Sequence, residues 1–360
     1  MESIKSRALV ICHTYNQSQY IEDTLNGFCE QQTDFPYVCL IIDDASTDGE
    51  GEVINNYLIE NFDLNDSIFF MQEDTCDYYS RFAQHIANKN CYFLIFYLKY
   101  NHYQIRKSKL SYYMDWRNKT KYIAYCEGDD YWIDPLKLQK QVDFLEKHQD
   151  FGLVHTNFKI IDGSNNEIGN IKQRDKFLKK YEGNPIDEIL VLLGIKTLTF
   201  CARREYLPEG IIADNVFSGD KYRVLNIVTQ SKIHYMPDVT GIYRSLKGTA
   251  CHATNFFVAD KFERSIQRLD EYFLNRIPSL SKRTRRLMMF KWGSYEMIYQ
   301  LASGVNKVSE LPPLLLAFPY VSVRDYKLLL LYLLIHSKKV FNMVHNRMIK
   351  KDYYRKPTIN

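Results

Sequence analysis

The feature that most constrains the fold is the alternation of apolar strands with helices near the start of the chain. Ala8–Cys12 and Tyr37–Ile42 are continuous apolar runs, as in parallel strands that are covered on both faces. Residues 18–31 carry apolar side chains at helical spacing, and a second helix is predicted to end near Glu60. A third strand is predicted at Ser67–Met71. This β-α-β-α-β order predicts an α/β protein with a doubly wound, mostly parallel sheet.

An acidic segment follows a later strand. Tyr122–Cys126 is a short apolar run that ends in Glu127, Asp129 and Asp130, and Asp134-Pro135 then begins a helix. Carboxylates this crowded repel one another unless a cation or hydrogen-bond donors compensate. A divalent metal ion shared with phosphates is one natural partner, and a solvated acidic turn is the alternative.

Two other polar loops follow predicted parallel strands, at His13–Asn16 and at Asp43–Gly49. In α/β enzymes, ligands bind at the carboxyl ends of parallel strands. We therefore expect these two loops and the acidic segment to form one cleft that contains an aromatic ring, a carboxylate pair and a metal-binding cluster.

The composition limits the class of protein. The chain has 360 residues, 46% hydrophobic and 25% charged, which predicts one large globular α/β domain with an appendage, or two domains. The net charge of +4 gives no indication of a nucleic-acid partner. The eight cysteines have no CxxC pair and no zinc-like spacing, and several lie inside predicted strands or helices, as buried thiols in a reducing compartment do. The first residues lack the apolar run of a signal peptide. Both observations favour a cytosolic protein.

From about residue 255 the sequence predicts helices rich in basic residues. Leu314–Ile335 is the most apolar segment, but Arg324, Asp325 and Lys327 interrupt it, which argues against a helix that spans a membrane. Two interpretations are open. The region is either an in-plane appendage at the inner membrane surface, or a helical pair that packs on the domain or on a second copy in a homodimer.

Four segments, in order and at the usual spacing, resemble the inverting glycosyltransferase family 2, whose members have the GT-A fold. They are ALVICHTYNQSQYIEDTLNGFCEQ, LIIDDASTDG, YIAYCEGDDYWIDPLKLQKQVDFLE and SGDKYRVLNIVTQSKIHYMPDVTGIYR. The resemblance covers about residues 7–250. It implies a GT-A domain over residues 1–254, with a Rossmann-like nucleotide-sugar-binding half at 1–134 and an acceptor half at 135–254. A helical region follows at 255–360.

The resemblance implies roles for residues of the three loops. Thr14 and Tyr15 would line the nucleotide pocket, with Tyr15 against the base, and Asp44 would accept a hydrogen bond from a uracil-type base. Asp129 and Asp130 would contact the ribose and a Mn²⁺ or Mg²⁺ ion, without a distinction between the two. Glu127 departs from the usual aspartate of this motif and is assigned a supporting role.

The resemblance also implies roles for residues later in the chain. Asp220 would be the catalytic base, although an aspartate that begins a helix is ordinarily a cap. Arg244 would lie near the diphosphate. His252 stands close to the place of a histidine that this family often has, and it would contact metal or phosphate unless it is structural. Arg106 and Lys107 fall where the family sometimes has phosphate contacts.

The implied function is transfer of a hexosyl or N-acetylhexosaminyl group from a nucleoside-diphosphate sugar, UDP-sugars being favoured. The acceptor would be a glycan or lipid-linked saccharide hydroxyl in capsular, O-antigen or other surface polysaccharide synthesis. One alternative is a non-catalytic GT-A subunit that binds sugar nucleotide or glycan in an assembly complex. Another is a nucleotidyltransferase, but His13–Asn16 lacks the Gly-rich, basic phosphate loop that such enzymes need.

Overall fold

A computed structural model describes residues 6–65, 70–210, 219–246, 256–318, 320–322 and 325–349. The chain divides into two compact units. The first consists of Met1–Pro185, Gly194–Gly210 and Asn226–Ser245, and the second of Ile186–Leu193, Ile211–Leu225 and Leu246–Asn360.

The first unit contains one mixed sheet, with twelve strands in the described part of the chain. In chain order they are β1 (Ala8–Thr14), β2 (Tyr37–Asp43), β3 (Phe62–Asp63), β4 (Met71–Asp74), β5 (Tyr78–His85), β6 (Cys91–Leu98), β7 (Tyr122–Tyr125), β8 (Tyr131–Trp132), β9 (Phe151–Asp162), β10 (Glu167–Ile168), β11 (Cys201–Arg203) and β12 (Lys232–Ser245). The spatial order is β3-β5-β6-β2-β1-β7-β11-β9-β12-β8, with β4 beside β5 and β10 beside β9.

The centre of the sheet is parallel, as the sequence predicts. β6, β2, β1 and β7 pair in parallel, so that Thr14 lies beside Asp43 at the carboxyl ends of β1 and β2. The outer pairs are mostly antiparallel.

The sequence predicts that Ser67–Met71 is the third parallel strand of the sheet, and this prediction is wrong. Residues 66–69 lie outside the described part of the chain, and Met71 begins β4, which pairs antiparallel with β5. The parallel neighbour of β2 is instead β6, whose apolar side chains are buried along nearly its whole length. Burial explains the difference, because β4 is polar and largely exposed.

In the described part of the chain, six α-helices lie wholly within the first unit: α1 (Ile21–Cys29), α2 (Glu50–Asn61), α3 (His102–Ile105), α4 (Leu110–Lys119), α5 (Lys137–Lys147) and α6 (Ile171–Leu178). Apolar side chains of α1, α2 and α5 share one core cluster with alternate residues of the central strands, so these helices cover one face of the sheet. Asp134 accepts a hydrogen bond from the Leu136 N–H at 2.9 Å just before α5 begins.

The second unit is helical, as the sequence predicts for the C-terminal region. Its helices are α7 (Ile186–Val191), the first part of α8 (Gly219–Val228), α9 (Phe256–Arg276), α10 (Lys282–Ser303), α11 (Tyr326–Leu334) and α12 (Lys338–Ile349). Met297, Leu301, Leu314, Ile335 and Phe341 are central to its core. Among the described residues, no helix combines the length and apolarity needed to cross a bilayer.

Candidate functional site

The loops that follow β1, β2 and β7 meet at one edge of the sheet. The Asp44 N–H donates to the Thr14 carbonyl at 3.0 Å, and the Gly128 N–H donates to the His13 carbonyl at 3.3 Å. Both bonds extend the parallel pairing of the strands beyond their ends. The three loops are therefore in contact, while the cleft predicted between them stays a prediction.

The Glu50 carboxylate joins the first two loops. It is fully buried and accepts hydrogen bonds from the Thr14 hydroxyl, from the Gln17 N–H at 3.0 Å and from the Ser46 hydroxyl at 2.8 Å. Burial raises its pKa above the ordinary value. Sequence reasoning did not single out Glu50, because an acidic residue in the first turn of a helix is ordinarily explained by the helix dipole.

Tyr15 directly precedes residues that form further hydrogen bonds between the same two loops. The Asn16 side chain accepts from the Thr47 N–H at 2.8 Å, and Asp48 accepts from the Ser18 N–H at 2.9 Å. Tyr15 itself is 39% exposed. Its ring is therefore carried on a braced loop and is accessible to a ligand.

Asp44 is held by protein groups. It is only 2% exposed, and its oxygens accept from the His102 N–H at 2.7 Å, the Tyr103 N–H at 3.1 Å and the Lys109 ammonium at 2.7 Å. Asp44 thus fixes the start of α3 and the side chain of Lys109. Sequence reasoning did not identify Lys109 as a partner of Asp44. Its predicted bond to a base stays a prediction, and it requires one of these donors to share or leave an oxygen.

The acidic turn after β7 packs tightly on the first loop. A Cβ atom on Gly128 would lie 2.2 Å from the Thr14 hydroxyl oxygen, so only glycine fits there. Asp130 is buried, and its carboxylate accepts from the Arg244 N–H at 2.8 Å. Asp129 is the more exposed of the two carboxylates.

The electrostatics of this turn favour an added cation. Burial raises the pKa of both Asp129 and Asp130, and the neighbouring Asp129 charge raises that of Asp130 further. The Arg244 charge lowers the pKa of Asp129, and Lys196 lowers that of Asp130, but neither offsets the burial. The carboxylates of this region also contribute to the raised pKa of the buried Cys12 thiol.

Arg244 is a buried residue that contacts the acidic turn. Its guanidinium lies between the rings of Tyr20 and Tyr131, at 4.8 and 4.6 Å from their centroids. It donates to the Asp129 carbonyl at 2.8 Å and pairs with Asp23. A contact of Arg244 with a diphosphate stays a prediction.

The remaining predicted residues belong to other segments of the chain. Asp220 is the second residue of α8 in the second unit, where its half-exposed carboxylate pairs with Arg223 at 3.1 Å. Its role as a base stays a prediction. Lys107 pairs with Asp77 at 2.7 Å, and Arg106 ends α3 with a φ of 57°. His252 lies outside the described residues.

The Asp129–Asp130 pair meets the requirement for a metal ion that is shared with a ligand. Among the described residues, no group of three or more His, Cys, Asp or Glu side chains could hold a metal alone. Mg²⁺, however, needs only one or two carboxylates when water and substrate phosphates complete its shell. Two adjacent carboxylates with raised pKa values fit that arrangement.

Sequence comparisons connect the chain to glycosyltransferases. Residues 9–72 match the family model described as glycosyl transferase family 2. An uncharacterized protein of Mycobacterium tuberculosis is 27% identical over 238 residues, or 65% of this chain, and the match spans 58% of that relative's length. TuaG of Bacillus subtilis, a glycosyltransferase assigned provisionally to teichuronic acid biosynthesis, is 25% identical over 206 residues, 57% of this chain and 65% of TuaG.

Solved structures show the fold. The crystal structure of S. aureus TarS in complex with UDP-GlcNAc has a TM-score of 0.53 at 15% identity and covers 98% of this chain and 95% of its own. A second TarS structure gives a TM-score of 0.51 over the same share of this chain and 94% of its own. The sequence-based fold prediction is thereby confirmed: the chain has the GT-A fold with a helical C-terminal region, and its residues 9–72 match glycosyl transferase family 2.

Proposed function

We propose that this chain is a metal-dependent inverting glycosyltransferase that moves a sugar from a UDP-sugar to a hydroxyl group of a cell-surface glycan. One observation carries this conclusion: three strand-end loops place Tyr15, Asp44, Asp129 and Asp130 at one edge of a GT-A sheet. The match of residues 9–72 to glycosyl transferase family 2 supports it, as does TarS, which has this fold and binds UDP-GlcNAc.

The donor's nucleotide would bind to the first two loops. Tyr15 stacks on the base, because its ring is accessible while the surrounding loop is fixed by hydrogen bonds. Asp44 accepts a base N–H in exchange for the Lys109 ammonium, because Lys109 reaches it through a side chain whereas the other two donors are backbone N–H groups of α3. Nucleotide binding would therefore change the contacts of Lys109.

The diphosphate end of the donor would face the acidic turn. Asp129 and Asp130 would hold Mn²⁺ or Mg²⁺, and we assign the direct bond to Asp129 because Asp130 is buried and already bonded to the Arg244 N–H. When bound, the ion would supply positive charge that offsets the charge of the diphosphate. Arg244 keeps the turn in place through the Asp129 carbonyl.

Asp220 would act as the general base. Its carboxylate takes the proton from the acceptor hydroxyl while that oxygen forms a bond to the anomeric carbon. The bond from the anomeric carbon to the nucleoside diphosphate breaks in the same step on the opposite face of that carbon, so the configuration inverts. No covalent enzyme intermediate is needed, and no activated serine or cysteine is required.

Asp220→Asn and Arg223→Gln form a matched pair that tests this role. Both changes break the ion pair between these residues, but only the first removes the carboxylate. We expect Asp220→Asn to lower kcat about 10²- to 10⁴-fold with unchanged UDP affinity, and Arg223→Gln to retain most of the rate. Equal losses in the two variants, or full activity of Asp220→Asn, would exclude Asp220 as the base.

A second candidate is a GT-A subunit that binds sugar nucleotide without catalysis. The observation that favours it is the burial of Asp44, whose two carboxylate oxygens already accept three protein donors. Titration calorimetry with UDP and Mn²⁺, combined with an assay of donor hydrolysis and transfer, separates the two functions. Tight metal-dependent binding with neither reaction, across a range of acceptors, would support the binding subunit.

The sugar and the acceptor require direct screening. TuaG, the relative assigned provisionally to teichuronic acid biosynthesis, supports a bacterial surface polysaccharide as the product. Thermal-shift measurements with UDP-, GDP-, dTDP- and CMP-sugars, with and without Mn²⁺, would identify the donor, because stabilisation increases with ligand concentration relative to Kd. We expect a UDP-sugar to give the largest metal-dependent shift.

A further inference from the structure

Helix α11 of the second unit is apolar on two faces. Its inner face contributes Leu329 and Tyr332 to the core. On its outer face Leu330, Leu333 and Leu334 are 58%, 52% and 49% exposed. The outer face of a helix in a globular protein is normally polar. An apolar outer stripe indicates a surface that meets something other than water.

The exposed apolar surface continues beyond α11. The short helical turn Leu314–Ala317 packs against α11, and the rings of Phe318 and Tyr326 lie 5.5 Å apart. Leu315, Phe318 and Tyr326 are 44%, 55% and 40% exposed. We refer to this surface as the α11 patch, defined by Leu315, Phe318, Tyr326, Leu330, Leu333 and Leu334.

The charges around the α11 patch are mostly positive, although Asp325 directly precedes α11. Residues 326–349 contain Lys327, Lys338, Lys339 and Arg347 and no aspartate or glutamate. All four basic side chains are exposed. Apolar side chains beside exposed cations are typical of segments that lie on anionic lipid surfaces. A second copy of the chain would bring the same positive charges to the patch, which opposes self-association.

Helix α11 is too short to cross a bilayer, so it could bind one only at the surface. Nine helical residues extend about 14 Å, whereas the hydrocarbon core of a bilayer is about 30 Å thick. We propose that the α11 patch binds the surface of an anionic phospholipid bilayer, with α11 lying in the membrane plane and the basic side chains at the headgroups. This proposal does not depend on sugar transfer.

Vesicle sedimentation tests the apolar part of the proposal. We expect the full chain to bind phosphatidylcholine vesicles that contain phosphatidylglycerol more strongly than pure phosphatidylcholine vesicles. Leu330→Ser/Leu334→Ser should lower the partition coefficient at least about tenfold, because two leucines no longer enter the interface. The control Ile59→Ser/Ile86→Ser replaces two equally exposed side chains of the first unit and should bind like the unaltered chain.

A second pair of variants tests the charge. Lys338→Gln/Lys339→Gln should weaken binding to the anionic vesicles about fivefold per lysine, since each basic residue contributes about 1 kcal/mol at such a surface. Lys172→Gln/Lys176→Gln makes the same charge change at exposed positions of α6 and should have little effect. Because the lysines lie outside the core, this pair keeps the proposal testable if the leucine variant fails to fold.

Three results would overturn the proposal. The first is equal binding to neutral and anionic vesicles. The second is unchanged binding by both the leucine and the lysine variants, with folding confirmed by circular dichroism. The third is a dimer in analytical ultracentrifugation that Leu330→Ser/Leu334→Ser dissociates while vesicle binding stays the same, which would make the α11 patch a self-association surface.

Discussion

The Thr14 hydroxyl connects two loops of the candidate site through the buried Glu50 carboxylate. Thr14→Val keeps the shape of the side chain but leaves this carboxylate with one donor fewer in a buried place. We expect a loss of about 1–3 kcal/mol in the free energy of unfolding and weaker UDP binding. Thr14→Ser, which keeps the hydroxyl, should lose much less. Urea unfolding and titration calorimetry measure the two effects, and equal losses in both variants would contradict this account.

Gly128 sets the spacing between the acidic turn and the first loop. A methyl group there would meet the Thr14 hydroxyl at 2.2 Å and the Gln17 side-chain oxygen at 2.5 Å. Gly128→Ala should therefore displace Asp129 and Asp130, and we expect metal-dependent UDP affinity to fall at least about tenfold, as even small displacements in a site are costly. Gly210→Ala is a suitable control because a methyl group there meets nothing within 4 Å. Unchanged affinity in Gly128→Ala would show that the turn can move.

At the residue scale, sequence reasoning recognised side chains that stand directly after strands and missed their partners. Asp44, Asp129 and Asp130 were found because each follows an apolar run. Glu50 and Lys109 were missed because their importance comes from contacts with Thr14 and Asp44, 36 and 65 residues away in the chain. No local pattern encodes a partner at such a separation.

At the element scale, α8 is fixed by a buried ion pair within the second unit. Asp270 of α9 is fully buried and pairs with Lys221, the residue after Asp220, and with Lys291 at 3.2 Å. Burial lowers the pKa of Lys221 to about 8. The helical region that carries Asp270 thereby holds the start of α8.

Asp270→Asn should be strongly destabilising, because it leaves the Lys221 charge buried without a carboxylate. We expect a loss of about 3–5 kcal/mol in urea unfolding. Lys221→Met/Asp270→Leu should recover part of that loss, since the buried Lys221 charge is removed together with its partner and Lys291, the other partner of Asp270, is partly exposed to water. The exposed neighbour Glu271 provides the control, and Glu271→Gln should change stability by no more than about 0.5 kcal/mol. A small loss in Asp270→Asn would mean that Lys221 is not held by this pair.

The prediction of helices and strands succeeded where the spacing of apolar residues was clear. It failed where two segments could each have been the parallel neighbour of β2. The buried faces of α1 and α5 and the apolar strands β1 and β2 follow from residue spacing. The third parallel strand was misplaced because Cys91–Leu98 is equally compatible with a strand, a helix or a lid when only its apolar character is known. Pairing with β2, a long-range contact, decides the matter.

At the scale of the whole molecule, the parallel pairing of β1 with β2 could be predicted because two strands joined by a single helix commonly pair in parallel. The antiparallel outer strands could not be predicted. For example, β11 pairs with β7 and β9, and no local sequence pattern indicates these long-range contacts. The same limit applies to the second unit, where α7 contacts α10 from nearly a hundred residues earlier in the chain.

The pH dependence of stability is a property of the whole molecule that follows from its buried carboxylates. In the folded protein the pKa values of Asp129 and Asp130 are raised, so the folded state retains these protons at a pH where the unfolded chain has released them. Their contribution to stability is present below about pH 4, the ordinary aspartate pKa, and is lost as pH rises through the raised values. A divalent cation should restore it.

Asp129→Asn/Asp130→Asn removes these two titrations, while the amide oxygen that replaces the Asp130 carboxylate can still accept the Arg244 N–H. Without metal, we expect the variant to become progressively more stable than the unaltered chain as pH rises from about 4 to 7.5. Mn²⁺ should stabilise the unaltered chain at pH 7.5, EDTA should reverse this effect, and the variant should respond to neither. Urea unfolding of both proteins at several pH values measures the difference. A difference that stays constant with pH, or a variant that Mn²⁺ still stabilises, would show that these carboxylates do not form the metal site.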